Sequence, residues 1–415
     1  MPSARTLRGE LVATLERRGS IRSPAVRRAF LSVPRELFVP EVNRREGLER
    51  VYADAALVIR TSTQGTPLSS SSQPTIMAEM LENLDLHRGM KVLEIGTGTG
   101  YNAALLSKLV GPSGTVTSVE LEADLAAASD SVLRAAGYPV NVVVGDAHTV
   151  VDADLGTYER IILTGSSDHV PARWRDALID GGLLELPLRL PGSAGGEQLI
   201  VTLRREGDRL RSVAVVPGGF MNLRHPGRDE PPPSSATLSV SEFIDGKGRS
   251  LASLSGAGLV ALRPSARRRL AALMLSRPRR RRISTPAAAA TSLVPYLGMA
   301  DAPDTVTVRT VRPQGHGQYS AAAGMVSYDG YGLALAVGRP DRRGCGIEVY
   351  GDGPGAAKAE RSLNELVGRW RKVGRPSLLD CEITVTYGVV PRAAGAHVTN
   401  EDGCFTAVHW PSNHA

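Results

Sequence analysis

Residues 92–101, Val92-Leu93-Glu94-Ile95-Gly96-Thr97-Gly98-Thr99-Gly100-Tyr101, decide the fold of the amino-terminal half of the chain. A short run typical of a buried strand leads into a turn with glycine at alternate positions, and a helix-forming segment follows at 102–109. Glycines let the backbone approach a ligand closely. The helix N-terminus adds free N–H groups and the positive end of the helix dipole. This order of strand, glycine turn and helix is typical of a nucleotide-type binding site.

Strand and helix patterns alternate beyond this stretch, which predicts a doubly wound, Rossmann-like α/β sheet with helices on both faces. Strands are predicted at 91–95, 115–120, 140–144, 159–164, 182–187 and 198–204, and helices at 101–109, 122–136 and 171–179. Ligands of such sheets bind beyond the carboxyl ends of the strands. We therefore expect the ligand at the edge that carries the glycine turn.

The residues at that edge indicate which ligand binds. The sixth position of the dinucleotide fingerprint is Tyr101 instead of glycine, and the Lys-Ser/Thr pair of a P-loop is missing. Glu120, at the end of the second strand, can accept hydrogen bonds from both ribose hydroxyls, and Asp146 can accept one from an adenine amino group. The pattern predicts an adenosine without an extended phosphate chain, which fits S-adenosyl-L-methionine.

The motifs resemble those of a known family. Glu94-x-Gly96-x-Gly98-x-Gly100 resembles the first motif of class I S-adenosylmethionine-dependent methyltransferases. Val33-Pro34-Arg35-Glu36-Leu37-Phe38-Val39-Pro40 resembles the N-terminal signature of the protein-L-isoaspartate O-methyltransferases. The series Tyr52-x-Asp54, Gln64-Gly65 and Ser72-Gln73-Pro74 resembles their active-site loop, and Asp180-Gly181-Gly182 matches as well. The resemblance covers about residues 5–220.

The patterns and the resemblance together assign site residues. The predicted cofactor-binding residues are Glu94, Gly96, Thr97, Gly98, Thr99, Gly100, Asn102, Glu120, Leu121, Gly145, Asp146, Ala147, Thr164 and Gln198. Ser72 and Asp54 are predicted to be catalytic, and the predicted substrate-binding residues are Ser69, Ser70, Ser71, Gln73 and Tyr52. The product formed from the cofactor would be S-adenosyl-L-homocysteine. The three cysteines are too few and too scattered for a zinc site, so no metal is expected.

The composition divides the chain into two parts. Residues 226–415 carry 24 Lys and Arg against 16 Asp and Glu, so the basic excess lies in the second half. We expect a catalytic domain at 1–224, with a helical substrate-side segment at about 1–75, then a Pro-rich linker at 225–237 and an α+β accessory domain at 238–415. A membrane span and a signal peptide are not expected, which predicts a cytoplasmic protein.

The second half bears on the function, because a general repair enzyme of this family needs only about the first 220 residues. The extended chain resembles members that tailor ribosomally synthesised peptides. The resemblance implies methylation of an aspartyl side chain in one dedicated precursor peptide, followed by closure to a succinimide (aspartimide) and then isoaspartate. General protein-L-isoaspartate repair remains the alternative. A nucleic-acid or complex-docking module fused to a methyltransferase is a third possibility, which is disfavoured because no nucleic-acid motif is found.

Overall fold

A computed structural model of the 415-residue chain describes residues 2–61, 67–150, 156–189, 198–223, 237–244, 247–255, 259, 262–283, 287–298, 305–310, 321–327, 331–338, 345–388, 396–401 and 403–410. The predicted linker at 225–237 lies almost entirely outside the described residues. None of the described helices is long and apolar enough to cross a membrane.

The helices and strands are numbered in chain order. The helices are α1 (Ala4–Arg17), α2 (Pro24–Ser32), α3 (Pro40–Val51), α4 (Pro74–Asn83), α5 (Tyr101–Val110), α6 (Ala123–Ala135), α7 (Ala147–Val150), α8 (Ala172–Asp176), α9 (Pro264–Leu275), α10 (Ala287–Gly298) and α11 (Pro354–Lys372). The strands of the first half are β1 (Leu57–Thr61), β2 (Pro67–Ser71), β3 (Lys91–Ile95), β4 (Thr115–Glu120), β5 (Asn141–Val144), β6 (Tyr158–Leu163), β7 (Leu178–Arg189), β8 (Gln198–Glu206) and β9 (Arg209–Pro217). Those of the second half are β10 (Thr237–Ile244), β11 (Lys247–Ser255), β12 (Arg279–Ile283), β13 (Thr305–Thr310), β14 (Ala321–Ser327), β15 (Gly332–Gly338), β16 (Cys345–Tyr350), β17 (Glu382–Tyr387), β18 (Ala396–Glu401) and β19 (Cys404–His409).

The predicted doubly wound sheet is confirmed. Its order is β18-β19-β17-β9-β8-β7-β6-β3-β4-β5. Strands β3 to β7 are parallel, whereas β8 and β9 return antiparallel. The apolar faces of α1, α2, α4 and α5 share one core on one side of this sheet. The carboxyl ends of β3, β4, β5 and β6 therefore meet at one edge, as the alternation of strands and helices predicts.

The carboxyl-terminal strands differ from the predicted division at 238. Strand β17 pairs with β9, through Thr384 with Arg211 and Val385 with Leu210, and so extends the catalytic sheet. Ile383 and Val385 are buried in the same core as Trp174 of α8. Strands β17, β18 and β19 thus belong to the first sheet, so the predicted boundary that assigns all of 238–415 to a separate accessory domain does not hold for these three strands. Strand pairing between distant segments leaves no local sequence signal, which explains the error.

The rest of the second half forms a seven-stranded antiparallel sheet, so the expected α+β architecture holds for these residues. Its order is β10-β11-β13-β14-β15-β16-β12, with β12 at one edge. Helices α10 and α11 cover one face, where Leu363, Val367 and Trp370 of α11 are buried. Helix α9 covers the other face through Leu270. Each face therefore has its own apolar core.

Candidate active site

A cavity of about 310 Å³ opens at the carboxyl ends of the parallel strands. The glycine turn after β3 forms one wall and the hairpin of β1 and β2 forms another. Most of the predicted site residues line it: Ser69, Ser70, Ser71, Ser72, Gln73, Gly96, Thr97, Gly98, Thr99, Asn102, Glu120, Leu121, Gly145, Asp146, Ala147 and Thr164. The structure thus brings residues from distant parts of the sequence into one site.

The glycine turn requires glycine for two physical reasons. Gly96 and Gly98 have φ angles of 95° and 53°, a region that side chains other than glycine rarely adopt. A Cβ atom on Gly96 would also lie 2.6 Å from Thr164 Oγ1. The bare backbone at this turn leaves room for a ligand directly above the sheet.

A buried carboxyl group supports the turn from below. Glu94 does not line the cavity; its Oε1 accepts a hydrogen bond from Asn102 Nδ2 at 2.8 Å, and its Oε2 accepts one from Ser118 Oγ at 2.5 Å. Burial raises the pKa of Glu94 to about 7, although both hydrogen bonds oppose the increase. Ser118 Oγ also lies 2.6 Å from Thr97 Oγ1. This network fixes the positions of Thr97 and Asn102, which do line the cavity.

The two acids predicted to hold the adenosine lie at neighbouring strand ends. Glu120 Oε2 accepts a hydrogen bond from the Gly98 backbone N–H at 2.8 Å, so this carboxylate lies directly beside the glycine turn. Asp146 Oδ1 accepts one from the His148 backbone N–H at 2.9 Å and lies 3.0 Å from His148 Nδ1. The ring of His148 packs at 5.2 Å from that of Trp174. His148 therefore orients Asp146, a contact that the sequence motifs did not reveal.

The serine-rich strand β2 lines another part of the cavity wall. Strand β2 pairs antiparallel with β1, and the Ser70 carbonyl oxygen would lie 3.9 Å from a Cβ atom on Gly98. Ser69 and Ser71 are buried, whereas Ser70 and Ser72 are partly exposed. The hairpin therefore brings hydroxyl groups close to the glycine turn.

An ion pair ties the hairpin to the adenosine side of the site. Arg60 on β1 forms a hydrogen-bonded ion pair with Asp124 at the start of α6, and its Nη1 lies 3.8 Å from Glu122 Oε2. These groups are largely exposed to solvent, so we assign the pair a small energy. Its geometric effect is to link the hairpin with the loop that follows Glu120.

Asp54 and Tyr52 do not line the cavity, in contrast to the prediction. Asp54 Oδ1 accepts a hydrogen bond from the Thr75 backbone N–H at 3.0 Å, and Oδ2 accepts one from the Thr75 hydroxyl at 2.7 Å. This carboxylate therefore caps the first turn of α4 by accepting from a free backbone N–H group. Burial alone would raise the pKa of Asp54, but the bonds from Thr75 and the charge of Arg18 outweigh burial and lower it. The Tyr52 hydroxyl donates to Glu36. Both residues hold the surrounding chain in place and do not face the cavity.

Gln198 also acts from behind the cavity wall. Its Nε2 donates to the Phe220 carbonyl at 2.9 Å and to Ser166 Oγ at 3.0 Å, and its Oε1 accepts the Phe220 backbone N–H at 2.6 Å. These bonds fix the segment 219–223, whose five residues line the cavity. Gln198 thus positions part of the cavity wall, and its predicted contact with the cofactor stays a prediction.

The sequence motifs did not assign these lining residues to the site: Ala56, Leu68, Ile76, Met77, Ile95, Tyr101, Val119, Leu125, His148, Gly219, Phe220, Met221, Asn222 and Leu223. Those at 219–223 are held by a parallel bridge between Ser166 and Asn222, a contact that leaves no motif in the sequence. Gly100, by contrast, was predicted and lies behind the wall, where a Cβ atom would meet Leu133 and Ser129. In the part of the chain that the structure describes, no group of His, Cys, Asp or Glu could hold a metal ion.

The lining residues fit S-adenosyl-L-methionine. The carboxylates of Glu120 and Asp146 can accept hydrogen bonds from ribose hydroxyls and an adenine amino group. Asn102 lines the cavity, and its Oδ1 is buried without a hydrogen-bond partner in the described structure, so an amino group of the ligand could satisfy it. The glycine turn and the strand-end acids together define a class I S-adenosylmethionine-dependent methyltransferase.

Comparisons with known proteins identify the family within this class. The family description Protein-L-isoaspartate(D-aspartate) O-methyltransferase matches residues 6–219, and the chain belongs to this family. A protein-L-isoaspartate O-methyltransferase of Methanothermobacter thermautotrophicus is 38% identical over 216 residues, which are 51% of this chain and 94% of the relative. One from Hyperthermus butylicus is 36% identical over 228 residues, covering 53% of this chain and 89% of the relative. The enzyme is thus an S-adenosylmethionine-dependent methyltransferase.

One solved structure resembles the chain over its whole length. A protein-L-isoaspartate O-methyltransferase aligns with 98% of this chain and 99% of its own, at 22% identity and a TM-score of 0.52. At this identity the likeness concerns the fold alone. The solved structure therefore has a fold that also aligns with the second half, which lies beyond the residues 6–219 matched by the family description.

Proposed function

We propose that this enzyme uses S-adenosyl-L-methionine to methylate an aspartyl side chain of a ribosomally synthesised peptide in the cytoplasm. The observation that carries the proposal is the second half of the chain. Its strand β17 pairs with β9 of the catalytic sheet, and most of it lies beyond residues 6–219, which the family description matches. A repair enzyme that accepts many damaged proteins gains little from a dedicated recognition unit, whereas an enzyme with one peptide substrate does.

The chemistry suits a site without a strong base. A carboxylate is already ionised at neutral pH, so no proton has to be removed before it attacks. When bound, S-adenosyl-L-methionine supplies a methyl group that a carboxylate oxygen takes in line, forming the C–O bond as the C–S bond breaks. The work of the protein is to position the acceptor and exclude water. Ser72, with Ser70 beside it, is suited to donate hydrogen bonds to the acceptor carboxylate or its backbone.

The resulting methyl ester has a defined fate. The backbone nitrogen of the residue that follows the aspartate attacks the ester carbonyl. The new C–N bond closes a five-membered succinimide, the C–O bond to the methoxy group breaks, and the proton of the amide leaves with it as methanol. Hydrolysis of the succinimide then gives aspartate or isoaspartate. None of these later steps needs a further group from the enzyme.

General repair of L-isoaspartyl proteins is the second candidate. It is favoured by the names of the sequence relatives, which match this chain over about nine tenths of their own length. In that reaction the same serines would face the free α-carboxylate of an isoaspartyl residue. The two candidates differ in the acceptor and share the cofactor site.

A side-by-side assay separates them. Purified full-length enzyme with methyl-labelled S-adenosyl-L-methionine is given an isoaspartyl peptide, an aspartyl peptide of the same sequence, and a short peptide encoded beside the gene for this chain. The proposal expects the third peptide to gain one methyl group and then lose methanol, with neither generic peptide turned over. Efficient turnover of the generic isoaspartyl peptide would instead support repair.

The negative control for this assay is the variant Gly96→Val. A valine there has an unfavourable φ angle and a Cβ atom 2.6 Å from Thr164 Oγ1, so the variant should not bind the cofactor. Methylation that persists with this variant comes from a contaminating enzyme. Binding of S-adenosyl-L-homocysteine to the native enzyme, measured by calorimetry, shows that the preparation is competent even where no peptide reacts.

A further inference from the structure

The edge strand β12 of the second sheet is made almost entirely of arginine. Its residues are Arg279, Arg280, Arg281, Arg282 and Ile283, and it pairs antiparallel with β16. Among the described residues, no strand pairs with its other edge. Alternate residues of an antiparallel edge strand direct their N–H and C=O groups away from the sheet. This edge therefore offers backbone hydrogen-bonding groups next to positive charge.

The charged residues in the sequence around β12 are all positive. Residues 263–282, which include α9 and most of β12, contain nine arginines and neither aspartate nor glutamate. The side chains of Arg279 and Arg280 are 61% and 40% exposed, and Arg281 is exposed as well. A field of this sign attracts acidic partners and repels basic ones.

Contacts with the fold orient the arginines on both faces of the strand. On the α11 side, Arg279 Nη2 lies 3.8 Å from Glu360 Oε2, and Arg281 Nη2 donates to Asn364 Oδ1 at 2.5 Å. On the opposite side, Arg280 Nε donates to the buried Glu348 at 3.0 Å. The guanidinium groups are thus held along the strand on both faces.

We propose that β12 binds an acidic peptide in extended conformation, which adds to the sheet as a further strand. Backbone hydrogen bonds along the free edge would hold the peptide, and its alternating side chains would face the arginines above and below the sheet. A charged edge can also serve only to prevent aggregation. Exposed arginines at positions 279, 280 and 281, which lie on both faces of the strand, favour a specific acidic partner over that role.

Under the function proposed above, the bound peptide would be a segment of the substrate outside the methylated residue. Peptide binding at β12 is nevertheless independent of methyl transfer. It can be measured without any reaction, so failure of one proposal does not imply failure of the other.

The test measures the fluorescence anisotropy of a labelled nine-residue peptide that alternates Glu with Val, added to the full-length enzyme. The double variant Arg279→Glu/Arg281→Glu should bind the peptide at least about tenfold more weakly. The matched control is Arg44→Glu/Arg45→Glu, which makes the same change of charge at exposed positions of α3. The control should bind like the native enzyme. Unchanged affinity for S-adenosyl-L-homocysteine in both variants would show that they are folded.

A second pair of probes separates strand addition from plain charge attraction. The same peptide with alternate backbone nitrogens methylated keeps its charge but loses hydrogen-bond donors, and it should bind about tenfold more weakly. The proposal would be overturned if the two peptides bound equally well. It would also be overturned if the double variant of β12 and the control double variant of α3 lost the same affinity for the peptide. Tighter binding of an oligothymidylate of the same length would overturn it as well, because that result would identify a nucleic-acid surface instead.

Discussion

The guanidinium of Arg35 donates a hydrogen bond from Nη2 to the backbone carbonyl of Ser72 at 2.9 Å. The Nη1 of the same side chain donates to the Val51 carbonyl at 3.0 Å. Arg35 is completely buried, and burial lowers its pKa. A buried cation thus joins the end of α3 to the residue that we expect to face the methyl acceptor.

We therefore expect Arg35→Lys to disturb the acceptor side of the site. An ammonium group cannot reproduce the planar fork that bridges two loops. The turnover number should fall by about tenfold or more, with little change in affinity for S-adenosyl-L-homocysteine. Hydrogen exchange of residues 67–73 should become faster than in the native enzyme. A loss confined to cofactor affinity would contradict the positioning role.

Ser72→Ala tests the assigned contact with the acceptor. Loss of a hydrogen bond to a carboxylate costs roughly 1.5–3 kcal/mol, so kcat/KM should fall by about tenfold to a hundredfold. The control is Ser276→Ala, which removes an exposed hydroxyl that donates to the Leu273 carbonyl of the same helix. Full activity of the Ser72 variant would refute the role given to this residue.

Glu120→Gln should weaken the cofactor site selectively. The carboxylate receives the Gly98 N–H and is placed to receive ribose hydroxyls, and an amide is a weaker acceptor for all of these donors. Calorimetry should show an affinity for S-adenosyl-L-homocysteine lower by about tenfold, equivalent to about 1.4 kcal/mol. Glu122→Gln, on the same loop, serves as the comparison and should bind normally. Equal losses in the two variants would argue against ribose recognition by Glu120.

The stability of the enzyme should depend on pH through Glu185. This carboxyl is fully buried and accepts hydrogen bonds from Asn83 and Thr202, and burial raises its pKa from 4.5 to about 8. The folded state therefore holds a proton that the unfolded state releases. Its contribution to stability is complete below about pH 4.5 and is lost as the pH rises to about 8, by at most about 1.4 kcal/mol per pH unit.

Glu185→Gln should accordingly flatten this dependence and make the enzyme more stable than the native form at pH 8. The free energy of unfolding, measured by urea titration at several pH values, provides the test. The exposed Glu49→Gln is the control and should leave the slope unchanged. The buried Glu94, whose pKa is raised to about 7, should preserve part of the pH dependence of the free energy of unfolding in both variants.

Local patterns predicted much of the catalytic half. Strand β3, the glycine turn and α5 occur where expected, because apolar periodicity and glycine spacing are properties of short segments. The bounds of α3, inside the helical segment expected at 1–75, were not predicted, because its sequence is polar and Gly47 interrupts it with a φ angle of 82°. In the second half, the sequence does not indicate β12 as a strand, because four successive arginines do not resemble one.

The site itself was predicted where a motif carries it. The residues around Gly96 and the serines at 69–72 were predicted from their motifs, and the structure brings them together at one cavity. Asp54 was predicted to be catalytic because it occurs in the active-site motif, but its carboxylate bonds to Thr75. Arg35 appeared only as part of a signature. Which side chain reaches a cavity and which supports the wall from behind depends on packing between distant segments.

The position of β17 beside β9 has a consequence for how the molecule is made. The chain leaves the ribosome amino terminus first. Strand β9 therefore emerges long before Glu382–Tyr387 is available to pair with it. During that interval the outer edge of the nascent sheet is open to other chains. The strands of the seven-stranded sheet are all synthesised while the edge of β9 is unpaired. Strand β17 then pairs with β9 and covers this edge. A chain cut short in the second half would therefore keep the glycine turn but leave the outer edge of β9 without the strand that pairs with it.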